Sequence, residues 1–95
     1  MKILLAEDDP MIGASVEQAL RRENYAVDWV RDGLEAELAL DSGAYALLLL
    51  DLGLPRQDGL ALLRKQRQKN NMIPVLIATA RDAVEDRVAG LNLGA

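Results

Sequence analysis

Residues 46–59 read ALLLLDLGLPRQDG: five apolar residues, one acid, then a loop broken by Gly53, Pro55 and Gly59. The apolar run does not alternate with polar residues. A short run of this kind is a strand covered on both faces, as in a parallel sheet. Leucine is a modest strand former, so the brevity of the run and the turn signals behind it decide the reading. Three other runs fit the same frame: Lys2–Ala6, residues 25–30 (YAVDWV, with Asp28 the polar exception) and residues 74–78 (PVLIA).

Helical patterns separate these runs. Asp9 before Pro10 is a helix start, with the acid as cap and proline at the first position. Ile12, Val16 and Leu20 follow at four-residue spacing and predict one buried stripe, ending near Glu23-Asn24. Asp32 with Glu35 is a capping-box pattern. Leu34 and Leu38 are expected to form the inward stripe of that second helix, and Gly43 suits its exit. A third helix is expected over residues 59–69, with Leu60 and Leu63 inward and Arg64, Lys65 and Arg67 outward. Asp82 with Glu85 opens a fourth, with Val84, Val88 and Leu91 as its stripe and Gly94 as its stop. The order is βαβαβαβα. Such alternation implies a doubly wound parallel sheet with right-handed crossovers and helices on both faces.

Composition narrows the chemistry. The 95 residues make one small domain, 51% hydrophobic and 27% charged. Lys plus Arg is 11 against 15 for Asp plus Glu, a net charge of −4. That balance is poor for gripping a phosphate backbone. Cysteine and histidine are both absent. Disulfides, thiolate chemistry, imidazole catalysis and Cys/His metal sites are therefore out. No run approaches the roughly 20 apolar residues that span a bilayer, and residues 3–6 are too short for a signal-peptide core. The expectation is a cytoplasmic protein without a membrane contact.

In an open α/β sheet, ligands bind beyond the carboxyl ends of the strands, where strand order reverses. The residues at those ends are Glu7, Asp8 and Asp9 after the first strand, Asp51 after the third and Thr79 after the fourth. If the first, third and fourth strands are neighbours, these carboxylates and one hydroxyl converge. Clustered carboxylates repel, and a divalent cation such as Mg²⁺ reverses that cost. With no His or Cys, Asp51 is the best available nucleophile, and aspartyl phosphate is a known covalent intermediate. The Thr79 hydroxyl suits a phosphoryl oxygen. Plainer readings stand beside these. Asp9 is expected only to cap its helix, and the acids before it could do the same through the helix dipole. Asp51 could be a solvated loop residue and Thr79 a turn residue. Arg64, Lys65, Arg67 and Lys69 read as a solvated helix face, with nucleic-acid contact the lesser alternative. Trp29 reads as packing at a strand exit.

The phrases AEDD (6–9), LLDLGLP (49–55), DGL (58–60) and TARD (79–82) resemble the receiver domain of bacterial two-component response regulators. They are most similar to the OmpR/PhoB branch, and within it to PmrA/QseB-like members. The resemblance runs over the whole chain with its motifs in order. It implies a flavodoxin/CheY-like fold and a signalling protein rather than an enzyme. Asp51 then matches the phosphoacceptor, with Glu7 and Asp8 as the acidic pair that holds Mg²⁺. Gly53 matches the position whose backbone carbonyl is a further metal ligand. Thr79 matches the switch hydroxyl, and a sensor histidine kinase is the expected phosphate source.

Family members continue past the Gly94-Ala95 pair with a fifth strand, a Lys-Pro pair and a fifth helix. The expectation is a receiver domain over residues 1–95 that is incomplete at its C-terminal side. The lysines here are Lys2, Lys65 and Lys69, and none matches the site lysine of the family. DNA binding is expected only through a domain outside this chain. Arg87 remains from the family's dimer face. An apolar fourth strand without a fifth beside it invites self-association, as a dimer or an element-swapped dimer. The alternative function is a receiver-like docking module that is not phosphorylated in this form. A phosphatase with an aspartyl nucleophile after the first strand fits poorly, because that chemistry wants two acids one residue apart. Neither phosphate-binding glycine loop, G-x-G-x-x-G or G-x-x-x-x-G-K-[ST], occurs.

Overall fold

The computed structural model describes residues 2–51 and 53–77. The expected fourth helix, its stripe and caps, Thr79 and Arg87 lie outside the described residues. Within them the order is β1 (Lys2–Ala6), α1 (Pro10–Arg22), β2 (Ala26–Val30), α2 (Gly33–Asp41), β3 (Leu47–Leu50), α3 (Gly59–Gln68) and β4 (Val75–Ile77).

The strands form one sheet in the order β2-β1-β3-β4, and every pair is parallel. The chain leaves β1 to one side to make β2 and returns to the other side to make β3. Strand order therefore reverses between β1 and β3. Their register sets Ala6 against Leu50, so the next residues, Glu7 and Asp51, leave the sheet side by side. The Asp51 N–H donates to the Ala6 carbonyl at 3.0 Å and locks that register at its end.

Alternate strand residues serve opposite faces. Leu4, Ala6, Leu48, Leu50 and Val75 join the core beneath α2 and α3. Ile3, Leu5, Val27 and Leu49 face the other way, packed by Val16 and Leu20 of α1. The unalternating leucines of β3 are thus buried on both sides, as a central parallel strand requires. Burying one such side chain stabilises the fold by about 1.5–3 kcal/mol.

The caps are as expected. Asp9 accepts from the N–H groups of Met11 and Ile12 at 2.8 and 3.1 Å. Asp32 accepts from Glu35 N–H at 2.8 Å, while the Glu35 carboxylate reaches back to Arg31 N–H at 3.0 Å. Asn24 and Asn70, just past the ends of α1 and α3, and Gly43, past the end of α2, take positive φ of 68°, 64° and 72°. Left-handed residues of this kind stop helices.

Two helix stripes differ from the expectation. In α2, Leu34 and Leu38 are 38% and 74% exposed, and Gly33, Ala36 and Leu40 are the buried residues. Gly33 explains the rotation. Its N–H donates to the Pro55 carbonyl at 3.0 Å, and a Cβ there would lie 2.3 Å from Cβ of Gln57. The helix start is pinned with Gly33 inward, which turns Ala36 inward three residues later and the leucines out. In α1, Val16 and Leu20 pack as expected, but Ile12 is 36% exposed. Its place in the stripe is taken by Gly13, buried against Trp29.

In α3, Leu63 is buried and Leu60 half-buried, and Leu62 and Gln66 join them inside. Gln66 is satisfied there: its amide donates to Asp41 at 3.3 Å and its oxygen accepts from Asn71 at 3.0 Å. Two residues of the basic face, Lys65 and Lys69, are engaged by α2. Lys65 pairs with Glu37 at 3.2 Å and Lys69 with Asp41 at 3.1 Å. Exposed pairs like these contribute at most about 1 kcal/mol each, but they occupy charges that a nucleic acid would need.

Candidate functional site

The convergence expected at the strand ends is present. One carboxylate oxygen from each of Glu7, Asp8 and Asp51 lies within 4.8 Å of the others. Glu7 and Asp51 are buried, at 3% and 8% exposure, and Asp8 is open to solvent. Each is there for a local reason. Asp51 ends a strand that cannot continue into Gly53 and Pro55. Glu7 ends β1, its N–H donating to the Val30 carbonyl at 3.0 Å. Asp8 sits between Glu7 and the Asp9 cap, so the start of α1 aims the acidic turn at the end of β3.

The site is electrostatically frustrated as it stands. Glu7 is raised from 4.5 to about 7, chiefly because burial penalises its charge. A hydrogen bond from Asp9 N–H, 3.1 Å from Oε2, opposes the rise. The side chain and charge of Asp51, then the charge of Asp8, add to it. Among the described residues, none of the three acids is in an ion pair. The carboxylate of Asp51 is aimed by Gly53, whose N–H donates to its Oδ1 at 3.1 Å. A set of hard oxygen donors, crowded and lacking a basic partner, fits a small divalent cation. An oxyanion without one does not fit.

Four of the expected site residues are thus together: Glu7, Asp8, Asp51 and Gly53. Thr79 and Arg87 lie outside the described residues. Among the described residues the side chain of Asp9 serves only as the α1 cap, although its N–H also reaches Glu7. One contributor was not legible as such. The indole N–H of Trp29 donates to the Glu7 carbonyl at 2.8 Å. The signal for it was Trp29 at the end of a strand, but only the pairing of β1 with β2, Leu5 against Trp29, brings that end next to Glu7.

The family model described as "Response regulator receiver domain" matches residues 3–95. The chain belongs to the response regulator receiver family. Among curated relatives, the receiver is 53% identical to "Response regulator protein PmrA" of Pseudomonas aeruginosa, over all of this chain and 43% of that protein. It is 48% identical, with the same coverage, to "Transcriptional regulatory protein QseB" of Escherichia coli O157:H7. The receiver therefore spans less than half the length of these relatives. Among solved structures, the Francisella response regulator 1452 receiver domain superposes with a TM-score of 0.91 at 30% identity, covering 99% of this chain and 78% of that one. The BeF3-activated N-terminal receiver domain of Klebsiella pneumoniae RstA gives 0.90 at 30% identity, covering 100% and 80%. The doubly wound, CheY-like reading of the sequence is borne out. No helix among the described residues is long and apolar enough to cross a membrane.

Proposed function

We propose that this receiver takes a phosphoryl group onto Asp51, in a Mg²⁺-dependent reaction, from a phosphohistidine of a sensor kinase. The observation that carries the reading is the meeting of Glu7, Asp8 and Asp51 oxygens within 4.8 Å at the switch point between β1 and β3. Glu7, Asp8 and Asp51, with the Gly53 carbonyl, would hold the metal. When bound, Mg²⁺ supplies charge neutralisation for the transferring phosphoryl group.

The chain's own residues do the rest. An Asp51 oxygen attacks phosphorus in line. A P–O bond forms, the P–N bond to the donor imidazole breaks, and the imidazole leaves with its electron pair. The hydrogen bond from Gly53 N–H to Oδ1 orients the carboxylate for that attack. Burial of Asp51 limits its solvation, which favours attack on an incoming group over rest in water. Glu7 must give up its proton for the acidic set to act together. Thr79, by its match to the family motif, is the hydroxyl that meets the new phosphoryl oxygens. A switch in the segment after Thr79, including Arg87, would then bias dimerisation and, through a DNA-binding domain outside this chain, transcription. The relatives named as transcriptional regulators support that output. Leu76, 57% exposed on β4, supports an apolar contact there, with a second copy as the self-association partner.

The test is intact mass after incubation with a small acyl phosphate and Mg²⁺. The expected result is one added phosphoryl group that is absent from Asp51→Ala and absent when Mg²⁺ is chelated. No uptake by the full-length protein would overturn the reading and favour the docking module.

A further inference from the structure

Both main-chain groups of Glu7 are held by β2. Its N–H donates to the Val30 carbonyl at 3.0 Å, and its carbonyl accepts from the Trp29 indole at 2.8 Å. The second bond matters more for the acidic turn. The Glu7 carbonyl belongs to the peptide plane shared with Asp8. Fixing that plane restrains ψ of Glu7 and φ of Asp8 together, the two rotations that set where the Asp8 carboxylate points. Asp8 is exposed and, among the described residues, its side chain has no hydrogen-bond or ion-pair partner. Without the indole, repulsion from Asp51, and from Glu7 once it ionises, would swing it outward.

The indole is itself held firmly. A Cβ on Gly13 would stand 2.0 Å from its Cζ2 and 2.4 Å from its Cε2, so α1 meets the ring at a distance only glycine allows. The Arg31 guanidinium carbon lies 4.5 Å from the ring centroid, a cation–π contact. Trp29 is also the only tryptophan in the chain. A phenylalanine could fill much of this space but has no N–H.

We infer that Trp29 is a positioning residue for the acidic pocket: clamped by Gly13 and Arg31, its indole N–H fixes the Glu7–Asp8 peptide and so preforms the cation site. The inference rests on the reading of Glu7, Asp8 and Asp51 as that site. Octahedral Mg²⁺ tolerates little misplacement of its oxygens, so loss of the bond is read as loss of affinity.

The experiment is calorimetric titration of Mg²⁺ into the full-length protein. The variants carry Trp29→Phe or, at position 29, benzothienylalanine, which keeps the bicyclic shape and replaces the N–H by sulfur. Both are expected to bind Mg²⁺ roughly three- to tenfold more weakly, the range for one hydrogen bond. The metal-free thermal midpoint of the benzothienyl form should stay near that of the parent. Gly13→Ala should weaken Mg²⁺ similarly by pushing the ring away. Combined with Trp29→Phe, it should add little, because both remove the same bond. A benzothienyl form that binds Mg²⁺ as tightly as the parent overturns the inference and leaves the pocket reading intact. A parent protein that binds no Mg²⁺ at millimolar concentration overturns the pocket reading, and this inference with it. Should the phenylalanine variant fail to fold, the benzothienyl form decides.

Discussion

Glu7 and Asp51 face each other at the ends of adjacent parallel strands, and their closeness, added to burial, lifts Glu7 from 4.5 to about 7. The folded receiver therefore keeps a proton on Glu7 in a range where the unfolded chain has released it. Stability from this group is complete below about pH 4.5 and falls as pH rises to about 7. The loss is at most roughly 3 kcal/mol. Other carboxylates titrate in the opposite sense, so the measurement is a difference. Urea unfolding of the parent and of Glu7→Gln, in chelator, should show the parent losing ground to the variant between about pH 5 and pH 8. A constant gap would mean that Glu7 titrates normally.

The same proton links metal binding to pH. Mg²⁺ must displace it, so binding at about pH 6 should release close to one proton and should tighten as pH rises through about 7. Titration calorimetry in two buffers of different ionisation heat reads the release directly. Equal heats in both buffers would contradict it.

Removing the charge of Asp51 should relax the pocket. In Asp51→Asn the remaining oxygen can still accept the Gly53 N–H bond, so the loop keeps its anchor. Glu7 loses one repulsive neighbour and its pKa moves down toward the ordinary value. The metal-free variant should be more stable than the parent near pH 8 by about 0.5–1.5 kcal/mol, while taking up no phosphoryl group. Denaturant unfolding and intact mass check the two halves.

The strands, their order of appearance, the helix caps and the acidic set were legible because each rests on a local pattern. Leu47 to Leu50 announce a doubly covered strand, Asp9-Pro10 a helix start, and Glu7, Asp8 and Asp51 their strand ends. What misled was the inward face of α2. Leu34 and Leu38 are the obvious apolar pair, yet the contact that orients the helix is made by Gly33 with Pro55, 22 positions later in the chain. Trp29 was read as packing for the same reason. Its partner, the Glu7 carbonyl, is a backbone group on another strand, and sequence does not advertise such an acceptor.

That rotation of α2 gives a direct test. Leu38 is 74% exposed, so Leu38→Lys should change stability by no more than about 0.5 kcal/mol. Ala36 is fully buried under the sheet, so Ala36→Leu should overpack the core and cost about 1–3 kcal/mol. Thermal unfolding of the pair decides which face is inward. A severe loss at position 38 with tolerance at 36 would restore the leucine stripe.

Glycines 33 and 43 bracket α2 and should respond in opposite ways. At Gly33 a methyl group would meet the Gln57 carbonyl at 2.5 Å and its Cα at 2.9 Å, backbone atoms that cannot turn aside. The helix or the loop after Asp51 must move, and the Gly33 to Pro55 bond stretches with it. Gly33→Ala should cost about 2–3 kcal/mol, and it should also slow phosphoryl uptake, because that loop carries the Gly53 N–H that aims Asp51. Gly43 has φ of 72° with nothing within 4 Å of a Cβ. Its demand is on backbone conformation alone, which asparagine meets well, so Gly43→Asn should cost only a few tenths of a kcal/mol and leave uptake unchanged. Gly43→Val, whose branched side chain resists that conformation, should cost about 1–2 kcal/mol without touching the phosphorylation rate. Uptake rates alongside unfolding midpoints for the three variants separate a glycine that holds the site loop from one that only ends a helix.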